Sequence, residues 1–281
     1  MPDLSWDMIL TKGASLPIQV YQNRRRLWAL WSWLGETLDT AYTRIVVTGR
    51  PRAGKSTLFQ HMIGSAASLD WQKPNPSTGP ETYRIPVNEW DQIIRIVPGQ
   101  QSSARTHALD AAFDSPHLKG IIHVVDWGFN LPRDDVARKI LSQSLIDAKG
   151  VDDLTALRIY NQEAECREFE KICDRARNYF LHKKRRLWMA VVATKADLYR
   201  AHLTEAQRYY DPDGDSPFSS LIRRLHLDVG RLNVPVIAVP VAPHPEAFVW
   251  GSTELGPQIL GEDDRRQLLQ HLLTRIGEVS R

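Results

Sequence analysis

Short, almost continuous apolar runs alternate with stretches of helical periodicity along most of this 281-residue chain. Residues 44–48, 120–126, 187–194 and 234–241 are apolar runs, the first three ending on Thr48, Asp126 and Thr194. Such runs suit parallel strands buried on both faces. Residues 83–87 and 92–97 are two further strands, joined by a turn at Asn88 and Glu89, and so form an antiparallel hairpin. Helical spacing predicts helices over about 23–40, 55–66, 134–148 and 155–180. The alternation predicts an α/β domain with a mostly parallel sheet. Residues 72–80 hold Pro74, Asn75, Pro76, Ser77, Gly79 and Pro80 and read as a loop. Residues 1–22 read as an extended arm.

Composition narrows the class only slightly. Hydrophobic residues make up 42% and charged residues 25%, which is ordinary for a globular protein. The net charge of +3 is too mild to argue for a nucleic-acid binder. The two cysteines, Cys166 and Cys173, are seven apart on one predicted helix face. They fit a reducing, cytoplasmic compartment better than a disulfide. No signal peptide is read at the polar, acidic N-terminus, and no run reaches the ~20 apolar residues of a spanning helix. Tryptophan is unusually frequent, at nine. Trp28, Trp31 and Trp33 follow Arg24, Arg25 and Arg26, with Leu27, Leu30, Leu34 and Leu38 as a stripe. This fits an interfacial membrane helix or a packing helix, and packing is favoured because no lipidation motif accompanies it.

The chemistry is concentrated after the first strand. Gly49, Arg50, Pro51, Arg52, Ala53, Gly54, Lys55 and Ser56 fit G-x-x-x-x-G-K-[ST] in full. The glycines let backbone N–H groups wrap a phosphate, Lys55 reaches the β- and γ-phosphates, and Ser56 offers a hydroxyl to Mg²⁺. The following helix adds its N-terminal dipole, so the nucleotide-contacting stretch extends to Thr57. A strand before and a helix after complete the context.

The base is read from a second motif. The run 187–194 leads into Thr194, Lys195, Ala196 and Asp197. A carboxylate at Asp197 can accept both N1–H and the 2-amino group of guanine, donors that adenine lacks on that edge. The Lys195 stem can lie over the base. The plainer reading of Asp197 is a helix cap at a strand end.

In this order the phosphate loop, the run Pro98, Gly99, Gln100, the acid Asp126 at a strand end and the T-K-x-D motif resemble the small Ras-superfamily GTPases. The resemblance covers about 44–126 and 187–242. It implies the P-loop NTPase three-layer sandwich, with a six-stranded, mostly parallel sheet and one antiparallel edge strand. It divides the chain into an N-terminal arm and Trp-rich helix (1–42) and a GTPase domain (43–281) with a helical insertion at about 127–186. Residues 72–82 become switch I and 98–106 switch II.

Carried over by position, Thr194, Lys195 and Asp197 replace N-K-x-D, and backbone N–H groups near Val241 and Ala242 face the base. Gly99 and Gln100 stand in switch II, with Gln100 orienting the attacking water. Thr78 is taken as the switch I Mg²⁺ ligand, over Ser77 and Thr82. The family's D-x-x-G-Q has Ile96 in place of its acid. In this the run resembles the bacterial gliding-motility and polarity-type enzymes. Asp126 is open as a substitute acid or as a strand-end cap; Asp91 is discounted. Arg50, Arg52 and Arg105 are candidate arginine fingers, with simple attraction of phosphate favoured.

The resemblance implies a GTP-binding switch with slow, Mg²⁺-dependent hydrolysis, catalysed with Lys55, Thr78 and Gln100. GTP or GDP is its ligand. A protein effector or regulator would meet the switches, the insertion or the N-terminal helix. Peripheral membrane contact is not favoured. A nucleotide-bound pseudo-GTPase adaptor is the alternative, and an ATP-using phosphate-loop protein a third reading. Three other features read as ordinary. The stretch 211–216 lacks the spacing of a calcium loop. The basic run His182, Lys183, Lys184, Arg185 and Arg186 reads as a solvated helix end. The nine histidines show no metal spacing.

Overall fold

The computed structural model describes Trp6 together with residues 44–62, 81–87, 90–97, 103–132, 135–146, 152–259 and 261–280. Thr78, Ser77, Gly99, Gln100 and the Trp-rich helix at 23–40 lie outside them. Six strands form the main sheet: β1 (Arg44–Gly49), β2 (Glu81–Val87), β3 (Trp90–Ile96), β4 (Leu118–Val125), β5 (Trp188–Ala193) and β6 (Val236–Pro240). Their order is β2-β3-β1-β4-β5-β6. Pairings are parallel except that of β2 with β3. This is the expected fold class, with β2 as the antiparallel edge.

The strands are apolar throughout because both faces are covered. Successive side chains point to opposite faces. Met189, Val191 and Ala193 of β5 therefore join one core, and Ala190 and Val192 the other. Helices α1 (Lys55–Met62) and α7 (Glu262–Val279) cover the second face. Helices α2 (Ser103–Phe113), α4 (Asp153–Lys183), α5 (Leu203–Tyr210) and α6 (Pro217–Val229) cover the first. Gly120 of β4 sits opposite Trp188 of β5, where a Cβ would lie 2.1 Å from the indole. Only glycine accommodates that ring.

The span 127–186 contains α3 (Asp135–Ile146) and the 31-residue α4. Helix α4 is the crossover between parallel neighbours β4 and β5, and such a connection is obligatory for a parallel pair. It buries Phe169, Ile172 and Ala176 completely, and Phe169 stacks on Phe218 of α6 at 4.1 Å. Cys166 and Cys173 are free thiols on it. Asp152 caps its start, accepting from the N–H groups of Leu154 and Thr155. A second, unexpected hairpin, β7 (Phe248–Trp250) with β8 (Thr253–Leu255), lies between β6 and α7. Trp6, in the stretch read as an arm, is helical and buried, and its N–H donates to Gln207 Oε1 at 2.8 Å.

Candidate nucleotide site

The C-terminal ends of β1, β4, β5 and β6 lie side by side, and their outgoing loops build the site. Gly49 closes β1 at φ +134°, and a Cβ there would stand 2.2 Å from the Val124 carbonyl oxygen. The chain can therefore turn against β4 only with glycine. Lys55 is buried at the start of α1, and its Nζ donates to the carbonyls of Gly49 (3.1 Å) and Arg50 (2.8 Å). The ammonium thus already bridges the inside of the loop where phosphate oxygens would be met. Ser56 is half-buried in the first turn, next to buried Thr57. Arg52 is held at φ +62°, a left-handed conformation that costs a non-glycine residue energy.

The base motif is physically joined to this loop. Thr194 Oγ1 donates to the Ala53 carbonyl at 2.8 Å and to that of Val125 at 3.0 Å. Lys195 adopts φ +57°, and its Nζ meets Asp126 Oδ2 at 2.9 Å and the Phe129 carbonyl. Its stem is thereby fixed between two loops. Asp197 is 1% exposed, and its Oδ1 has no hydrogen-bond partner among the described residues. Burial pushes its carboxyl up to about 6, against the N–H groups of Asp197 and Glu246 and the charges of Lys195 and Arg265. A buried acceptor with an unused lone pair fits a ligand that brings N–H donors, as guanine does. Ala196 N–H donates to Val241 O, and Val241 N–H to Ala193 O, which brings the 241–242 backbone beside the motif.

Several residues that hold the site were not singled out in the sequence. Asn130 Nδ2 donates to Pro51 O (2.9 Å) and Asp126 Oδ2 (2.8 Å). Asn161 of α4 donates to the carbonyls of Gly128 and Asn130 and accepts from Arg50 Nη1 at 3.0 Å. Glu165, one turn on, accepts from the N–H groups of Asp126 (3.1 Å) and Gly128 (3.2 Å) and bonds Tyr210 Oη (2.7 Å). Burial, and then the charge of Asp126, push Glu165 up to about 8, so it is largely a neutral acid at pH 7. Burial opposes ionisation of Asp126 too, but Lys195, Glu165 and Arg50 outweigh it and keep its carboxyl below the usual range. The available signal was in α4, where Leu157, Asn161, Glu165 and Phe169 follow one stripe at four-residue spacing. Two polar residues on an apolar stripe mark a buried network.

The structure gives four candidates partners within the fold. Arg105 is buried in an ion pair with Glu168 of α4, which ties it into the helix packing and away from a finger role. Asp126 Oδ2 accepts from Lys195 and Asn130, which braces the loops, and its buried Oδ1 has no hydrogen-bond partner among the described residues. Arg50 and Arg52 both donate into the segment around α4: Arg50 to Asn161, and Arg52 to Pro132 O at 2.8 Å. Ile96 is buried at the end of β3. His123 bonds Thr48 Oγ1 at 2.9 Å and is driven by burial down to about 3, so it is a neutral core residue. No group of His, Cys, Asp or Glu among the described residues could hold a metal ion by itself.

Residues 44–162 match the family of the 50S ribosome-binding GTPases. No curated protein matches the chain in sequence. Among solved structures, similarity extends to the Arl6 BBS3 small GTPase from Trypanosoma brucei with bound nucleotide analogue GppNp. That pair is 13% identical, with a TM-score of 0.34, over 83% of this chain and 98% of the other. The mammalian SRP receptor is 11% identical, with a TM-score of 0.43, over 84% and 99%. Toc33 from Arabidopsis thaliana, in complex with Mg²⁺ and GMPPNP, is 13% identical, with a TM-score of 0.41, over 96% of each chain. Likenesses at these scores carry no weight alone, and nothing in them favours the gliding-motility type. The sheet order and the phosphate loop agree with the P-loop GTPase fold of the matched family.

Proposed function

We propose that the protein is a GTP-driven switch that hydrolyses GTP slowly with Mg²⁺ and recruits a protein partner in the GTP state. The observation that carries the guanine preference is Asp197, buried with an unpartnered Oδ1 on a loop bonded to the phosphate loop. Lys55 would bind phosphate oxygens. Ser56 would hold Mg²⁺, which when bound neutralises charge on the phosphates. Thr78 as second ligand and Gln100 as the residue orienting water are carried from sequence.

Ile96 favours a second reading. An apolar side chain stands where the family has its acid, so a nucleotide-bound adaptor without turnover is the alternative. Two measurements separate these readings. Purified protein should retain labelled GDP far more tightly than ADP; ADP preference sinks both guanine readings. Phosphate release should be measurable with wild type and lost in Gln100→Leu; absence of release in every condition favours the adaptor.

A further inference from the structure

The basic run at the end of α4 is not an isolated solvated tail. Lys183, Lys184, Arg185 and Arg186 are all exposed, and no carboxylate among the described residues pairs with any of them. Their surroundings are otherwise balanced: Arg175 pairs with Asp110, Arg177 with Asp228, Arg224 with Glu170 and Arg231 with Asp213. Four consecutive cations are therefore left without a carboxylate partner among the described residues. The fold holds it there, because Arg185 donates to Pro116 O and Arg186 Nε donates to Leu232 O at 2.9 Å. The same turn is tied down by Leu187 N–H to Asn233 O and by Asn233 Nδ2 to Val229 O.

Beside this cluster stand two leucines facing solvent. Leu232 is 82% exposed, and Leu227, across the Gly230 cap of α6, is 86% exposed. Single exposed leucines are ordinary on a protein surface. Two of them, nearly bare, one bonded through its carbonyl to Arg186 and the other five residues before it, form with the four cations a surface with both terms of interfacial lipid binding: electrostatic attraction and apolar insertion. The patch lies where β4, β5 and β6 begin, whereas the phosphate loop and Asp197 lie where β1 and β5 end. Strands of this length separate the two ends by roughly 20 Å.

We propose that this face docks on an anionic membrane surface, with Lys183, Lys184, Arg185 and Arg186 over the headgroups and Leu227 and Leu232 in the acyl boundary. The nucleotide site then faces away from the membrane. The leucines favour lipid over nucleic acid, since phosphate backbones offer them nothing. This inference is independent of the nucleotide chemistry.

The test is flotation of the full chain with vesicles of phosphatidylcholine, alone or with roughly one-third phosphatidylserine. Binding should require the anionic lipid and weaken with salt. Lys183→Ala and Lys184→Ala should each weaken it about fivefold. Leu227→Ser with Leu232→Ser should weaken it about tenfold while leaving its salt dependence intact. Nucleotide binding should be unchanged in every variant, which establishes that they fold. Equal binding by wild type and the lysine variants would overturn the proposal and point to the N-terminal Trp-rich helix as the anchor. Failure of wild type to bind anionic vesicles at low salt would also overturn it, as would tighter binding to poly-U that ignores the leucine substitutions.

Discussion

Thr194 Oγ1 donates to the carbonyl of Ala53 at 2.8 Å, joining two loops that are 141 residues apart in sequence. The same hydroxyl also donates to Val125 O. One side chain thus fixes the spacing between the phosphate loop, the β4 end and the base loop. Thr194→Val should leave the buried Ala53 carbonyl short of its donor, at about 1–3 kcal/mol, while Val125 O keeps the Thr194 backbone N–H at 2.8 Å. It should also weaken GDP binding measured by nucleotide dissociation. Thr194→Asn keeps a side-chain donor and should retain most of both.

Asp197 should make guanine binding depend on pH. Its carboxyl must be ionised to accept two N–H groups, and burial raises it to about 6 in the free protein. GDP affinity should be level above that pH and fall by up to about tenfold per unit below it. Asp197→Asn should weaken GDP about a hundredfold and flatten the pH profile, because a charge-assisted bond is lost and an N–H₂ can face the base donors. Equilibrium binding from pH 5 to 8 checks both; a wild-type profile unchanged through pH 6 would remove Asp197 as the recognition group.

Glu165 should make stability depend on pH in the opposite sense to an ion-paired acid. Its folded value is raised to about 8 from the usual 4.5. Below 4.5 both folded and unfolded states hold the proton. As pH rises from there through 8 the unfolded state loses it first, so this group's contribution falls across that window. Glu165→Gln keeps a carbonyl acceptor for Asp126 and Gly128 N–H and cannot ionise. Thermal denaturation from pH 5 to 8 should show a flatter slope for the variant.

Gly49→Ala should be strongly destabilising. The new Cβ would meet the Val124 carbonyl oxygen at 2.2 Å, at a φ of +134° that L-residues rarely adopt. A loss of about 2–4 kcal/mol is expected from strain and displacement of β4. Urea denaturation measures it, and a change within experimental error would contradict the tight turn.

Most of the sheet was legible because its strands are buried on both faces and so stand out as continuous apolar runs. Residues 187–194 yielded β5, and 83–97 yielded the β2–β3 hairpin, within one or two residues at most ends. The short β7–β8 hairpin was not legible. Three-residue strands carry too little periodicity, and Phe248 is explained only by its edge contact with Phe129 at 5.4 Å. The phosphate loop and T-K-x-D were legible for a different reason: their chemistry requires particular residues at fixed local spacing.

Asn130, Asn161, Glu165 and Tyr210 were not legible as one network, since they come from a loop and two helices spread over some 80 residues. The basic run at 183–186 could be seen, but not that Leu227 and Leu232 stand beside it. Sequence alone determined the strand set, the phosphate loop and the guanine-type motif, because each is written in contiguous residues. Only the tertiary structure decided which polar groups brace that site, why Arg105 is lost to Glu168, and which charges remain unpaired. Those depend on which surfaces packing brings together and which it strips of water.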